Sequence, residues 1–188
     1  MNCDPQHLKE GAFSGLAREA DVCELRFDNV NSHLSFMTVT NDQFRAALSR
    51  FPSGVTVVTT KDTDGTYYGI TVSAFCSLSL EPPLVLICIE KSAGSHDPLV
   101  RSKAFVVNVL RSTQTAVSER FASLMPDKFD GVRHLPGASG IPVLEDSVAV
   151  LECSLNRLGD CCDHTIFIGL VEHVSINEGF PLVYSQSS

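Results

Sequence analysis

From Val55 onward the chain is written in short extended runs, and no other feature constrains its fold as much. Val55–Thr60 (VTVVTT) is β-branched throughout, a composition that suits a pleated, packed surface. KDTDGT, with its Asp-Gly pair, reverses the chain, and YYGITVSAF returns it. Leu84–Glu90 (LVLICIE) and Ala104–Leu110 (AFVVNVL) are almost wholly apolar, the mark of strands covered on both faces. VAVLECSLNRL, HTIFIGLVEHVSI and PLVYS supply the remaining strands. Few helices interrupt this series. Thr40 and Gln43 fit a capping box, after which Phe44, Ala47, Leu48 and Phe51 fall on one helical face and Pro52 and Gly54 stop the helix. STQTAVSERFASL reads as a second helix with Val117, Phe121 and Leu124 inward, and KSAGSHDPL leads into a third, short one. Many short strands with few helices predict a mainly β chain, closed into a barrel with helical covers. Residues 38–188 form that domain, and residues 1–37, which carry no clear periodicity, form an extension that is flexible or loosely docked.

One stretch carries more than fold information. In GITVSAFCSLSLEPP, one register is Ile70, Val72, Ala74, Cys76, Leu78 and Leu80, and the other is Gly69, Thr71, Ser73, Phe75, Ser77 and Ser79. A strand with one apolar and one hydroxyl face either faces water or binds a flat polar ligand whose ring edge reads hydroxyls and backbone groups. Just beyond the apolar run Leu84–Glu90 comes KSAGSHDPL. Lys91, the small residues that follow it, and Ser95 or Asp97 as a helix N-cap give that loop the makings of an anion cradle. Together the two segments suggest a ligand with a ring at one end and a phosphate at the other.

Several function classes are set aside by the same reading. The formal net charge of -8 disfavours nucleic acid and anionic membranes as partners. No apolar run has the length of a membrane span, and the N-terminus lacks a signal-peptide core. The seven cysteines, Cys3, Cys23, Cys76, Cys88, Cys153, Cys161 and Cys162, show no framework spacing, so reduced thiols and a cytoplasmic location are expected. Cys161 to His164 (CCDH) is the one cluster with zinc-ligand chemistry, but adjacent cysteines on a strand point to opposite faces and no second ligand pair exists. No metal is expected. P-loop, dinucleotide-fold and nucleophile-elbow motifs are absent.

The segments FRAALSRFPSGVTVVTT, YGITVSAFCSLSLEPPLVLICIEKSAGSHDPL, FVVNVL, DKFDGV, GIPVLEDSVAVLEC and DHTIFIGLVEHV resemble the short-chain flavin reductases that serve two-component flavin-dependent monooxygenases. The resemblance runs from Phe44 to about Tyr184. It implies an FMN-binding split β-barrel of Greek-key type, a homodimer, and FMN or FAD near the subunit interface. It implies that Thr71, Val72, Ser73 and Ala74 edge the isoalloxazine, that Ser77 and Ser79 lie near the ribityl chain, and that Glu90, Lys91, Ser92 and Ser95 surround the phosphate. His164 would contact the nicotinamide nucleotide, with Phe129 at the mouth of the site. The reaction implied is hydride transfer to flavin from NADH, with NADPH as the second choice of donor, and delivery of reduced flavin to a monooxygenase partner. The chemistry would be the flavin's own, so no acid–base dyad is required. The other reading is a flavin-binding electron-transfer module without a nicotinamide site. Two features depart from the family pattern: Cys162 stands where relatives have Gly, and the sequence ends at PLVYSQSS, where relatives continue into a Gly-x-Tyr-like tail.

Overall fold

The computed structural model describes residues 23–25 and 39–185. Its elements are β1 (Cys23–Leu25), α1 (Asn41–Leu48), β2 (Ser53–Gly54), β3 (Thr56–Lys61), β4 (Tyr67–Val72), β5 (Phe75–Leu80), β6 (Pro83–Glu90), α2 (His96–Ser102), β7 (Ala104–Val109), α3 (Thr115–Ala122), β8 (His134–Pro136), β9 (Pro142–Leu144), β10 (Ala149–Cys161), β11 (His164–Ile176) and β12 (Val183–Tyr184). The principal sheet runs β4-β3-β7-β10-β11-β6-β5, antiparallel at every step. Its first and last strands are joined by the chain itself, because only Ser73 and Ala74 separate β4 from β5. The mainly β class expected from the sequence is therefore observed. β1 adds a short parallel strand to β10, pairing Cys23, Glu24 and Leu25 with Arg157, Leu158 and Gly159. It takes the edge that β7 leaves after Ser154.

The β-branched run of β3 places Val58 in the main core with Ile87, Ile89, Phe105, Val107 and Phe167. Val55 and Val57 pack on the other side with Leu110, Phe121 and Leu144. Both faces are thus covered, and Thr56–Thr60 are all buried. Asn108, opposite Val57 in the ladder, is buried, donating to Val57 O (3.0 Å) and accepting from Leu144 N (2.8 Å). The capping box of α1 forms as expected, with Gln43 N donating to Thr40 Oγ1 and Thr40 N to Gln43 Oε1.

Two local expectations change. None of α1's residues is buried, and Phe44, Leu48 and Phe51 are 57%, 56% and 75% exposed. Among the described residues, the apolar face of α1 therefore covers no core. Leu124 is fully exposed rather than inward, because α3 ends at Ala122 and Ser123 is already extended. Between α3 and β10 the chain also forms the β8–β9 hairpin.

Candidate functional site

The alternating stretch breaks in the middle. At Ser73 and Ala74 the chain bends, and the side-chain parity changes across the bend. In β4, Ile70 and Val72 face the main core; in β5 it is Phe75 that does so. Cys76, Leu78 and Leu80, expected as core, are exposed. A one-residue change of register moves every following side chain to the opposite face, and a bulge between Ser77 and Ser79 disturbs β5 once more.

The bend itself is open. Ser73 and Ala74 are exposed, and with Arg45, Ala46, Leu48, Ser49, Phe51, Ser53 and Tyr184 they line a cleft of about 730 Å³. Their carbonyls are used: Ser73 O accepts from Phe75 N and Ala74 O from Cys88 N. Among the described residues, nothing accepts a hydrogen bond from the Ser73 or Ala74 amide. Free amides at an accessible bend fit a ligand that offers acceptor atoms along a flat edge. The cleft has an apolar wall from Leu48, Phe51 and Tyr184, and Arg45 is the cation in its lining.

The bond from Cys88 to Ala74 fixes the bend two residues short of Glu90 on β6, about 7 Å at strand rise. Glu90 pairs in turn with His164, the first residue of β11. His164 is partly exposed, and its Nδ1 lies 2.9 Å from Asp163 Oδ1. This contact with the imidazole holds the Asp163 carboxyl below the ordinary range. Lys91 donates its backbone N–H to Asp163 O and its ammonium to Cys162 O and the Asp160 carboxylate. Ser92 Oγ donates to Glu90 Oε1, and buried Ser95 sits at the N-cap position of α2 without a side-chain capping bond. Cys162 has a positive φ of 54° at the tip of the β10–β11 hairpin.

The structure thus brings Ser73, Ala74, Glu90, Lys91 and His164 to one end of the sheet. It disperses others. Thr71 donates its hydroxyl to Ser118 O beneath α3 (2.6 Å), and Val72 is buried in the core. Ser77 lies opposite Val85, five residues from Glu90 and about 16 Å away along β6. Ser79 lies further still along β5, and Phe129 packs among Tyr67, Phe121 and His134. Residues of α1 and Tyr184 entered the cleft without sequence warning; the one signal was the apolar face of α1.

A family model described as flavin reductase like domain matches residues 48–188. The chain belongs to the flavin reductase like family. The NADH flavin reductase of Kitasatospora aureofaciens is 45% identical over 135 residues, covering 71% of this chain and 71% of that protein. The reductase subunit of a flavin-dependent monooxygenase from Rhodococcus jostii is 42% identical over 143 residues, 76% of this chain and 73% of its own length. Among solved structures, the NADH:FAD oxidoreductase of Streptomyces globisporus, in complex with NAD and FAD fragments, superposes with a TM-score of 0.73 at 39% identity. That match covers 77% of this chain and 87% of the other. As a member of this flavin reductase family the chain is an oxidoreductase. Among the described residues, no helix is long and apolar enough to cross a membrane.

Proposed function

We propose that this flavin reductase takes NADH as hydride donor, accepts either FMN or FAD, and releases reduced flavin to a separate monooxygenase. One observation carries the reading: the open cleft at Ser73–Ala74, with its free amides, lies two residues along β6 from the Glu90–His164 pair. Bound flavin would supply the hydride-accepting ring. The Ser73 and Ala74 amides would hold the ring edge, where negative charge gathers on reduction and preorganised N–H donors are most effective. Arg45 would counter the charge of the tail, and the apolar wall of Leu48, Phe51 and Tyr184 would exclude water from the ring. Partly exposed His164 would contact the nicotinamide nucleotide from the hairpin side. The openness of the cleft leaves room for the adenylate of FAD.

A second copy of the chain is the proposed cover for the apolar face of α1, so the site is completed in a homodimer. Free thiols at Cys76, Cys88, Cys153, Cys161 and Cys162 suit a reducing, cytoplasmic setting.

The test is anaerobic mixing with NADH and each flavin, followed by the loss of flavin absorbance. Bleaching well above the uncatalysed rate is expected. A wild-type trace no faster than buffer would leave only the binding-module reading. Ser73→Trp places an indole in the cleft and should abolish flavin binding while leaving the circular dichroism unchanged.

A further inference from the structure

We propose that Lys91 is a positioning residue that fastens the hairpin carrying His164 to the end of β6, and that its ammonium is not a phosphate ligand. The inference deepens the reading of His164 as the nicotinamide contact and rests on it.

β6 ends at Glu90, paired with His164. The next residue continues the ladder by one step, because Lys91 N–H donates to Asp163 O at 2.9 Å. Its side chain then turns onto the same hairpin. Nζ donates to Cys162 O at 2.7 Å and to the Asp160 carboxylate. One residue thereby reaches Asp160, Cys162 and Asp163, which flank or form the tip. Asp163 passes the restraint on, since its carboxylate holds His164 Nδ1 at 2.9 Å. Lys91 is two contacts away from the imidazole.

The tip needs such a fastening. Cys162 sits at φ 54°, a conformation that L side chains adopt at a cost and that persists where surroundings impose it. The Cys162 carbonyl is held in that turn by the ammonium of Lys91. A phosphate would find a poor site here. Two of the ammonium's three donor directions are taken, and the carboxylates of Glu90, Asp160 and Asp163 surround the loop. Like charges of that number disfavour an incoming dianion. The side chains of Lys91 and Asp160 are 41% and 62% exposed, so the pair adds little to stability. Its effect is on geometry.

The test uses Lys91→Met, Asp160→Asn, the double variant and Lys91→Arg in the full chain. Three readouts are taken: amide hydrogen exchange across 159–166 without ligand, dissociation constants for FMN and riboflavin, and KM against kcat for NADH. A fastening role predicts faster exchange across 159–166 in both single variants. It predicts KM for NADH raised about tenfold, the scale of a slightly misplaced binding group, with FMN and riboflavin affinities unchanged. The double variant should be no worse than either single one, and Arg should restore much of the loss. Unaltered exchange in Lys91→Met overturns the proposal. So does weakened FMN binding with riboflavin binding intact and Asp160→Asn silent, which would return Lys91 to the phosphate. Because exchange is read without ligand, it decides the fastening even if the wild-type chain fails to bleach flavin.

Discussion

β4 and β5 come from one run of alternating residues, with only Ser73 and Ala74 between them, and they meet different surroundings. β4 is clamped on both faces. Ile70 and Val72 join the main core, while Gly69 and Thr71 lie under α3, where Phe121 closes over the glycine. β5 is the last strand of the sheet path, paired among the described residues with β6 alone, and Leu78 and Leu80 are 47% and 88% exposed. The difference teaches that one pattern can build two things: a strand that holds the fold, and a strand left free to meet something else. Ser73 and Ala74, at the junction, belong to neither and remain open to a ligand.

The largest effect should come from emptying the β4 side. Phe121 is fully buried among Val55, Val57, Leu110 and Leu144. Phe121→Ala should cost about 3–5 kcal/mol, the usual range for a buried ring truncated to methyl, read as a fall in thermal midpoint. Gly69→Ala probes the same contact from below. A Cβ there would lie 2.4 Å from Phe121 Cε1, so overpacking should cost about 1–3 kcal/mol. In the Phe121→Ala background the new methyl enters vacated space, and its cost should vanish. Additive losses would mean that Phe121 does not press on Gly69.

A smaller effect follows from acid. Asp62 opens the β3–β4 turn, bonding Thr66 O through its own N–H, while Arg101 grips both carboxylate oxygens from α2. Arg101 holds the Asp62 pKa down from 3.8 to about 2. A carboxyl with a lowered folded-state pKa adds stability that is complete above 3.8 and is lost as pH falls through about 2. The β3–β4 end should therefore loosen between those values. Asp62→Asn should flatten that part of the stability profile. If the profile keeps its slope, other carboxylates govern acid unfolding.

The β3 and β7 runs were readable because β-branched chains covered on both faces leave no polar register. The Thr40–Gln43 cap was readable because its bonds are local. The parity of β5 was not, since alternation gives a period without saying which face is inside, and a bend resets it. The face of α1 misled for a related reason: an apolar stripe looks alike whether it meets its own core or another molecule. Of the site, Ser73, Ala74, Glu90 and His164 were named through the family resemblance, because the alternating run itself gives no sign of the bend at Ser73 and Ala74. Arg45 and Tyr184 were not, because they reach the cleft from remote segments. Lys91 was legible as a charge but not as a bond partner, since Asp160 lies 69 positions away.

The smallest effect is expected at Leu80, and it cuts most directly at the comparison. Leu80 is 88% exposed, so in a lone chain Leu80→Ser removes almost no buried area. Surface changes of this kind stay within about 0.5 kcal/mol. The expected outcome is an unchanged thermal midpoint at low protein concentration. Two copies in contact would alter this, because association makes the midpoint rise with concentration. If the wild-type midpoint climbs with concentration and Leu80→Ser flattens the climb, β5 lies in the contact between copies. If Leu48→Glu flattens it and Leu80→Ser does not, the contact runs through α1 and β5 stays free. A large fall for Leu80→Ser in dilute solution would break the comparison, for β5 would then hold the fold together just as β4 does.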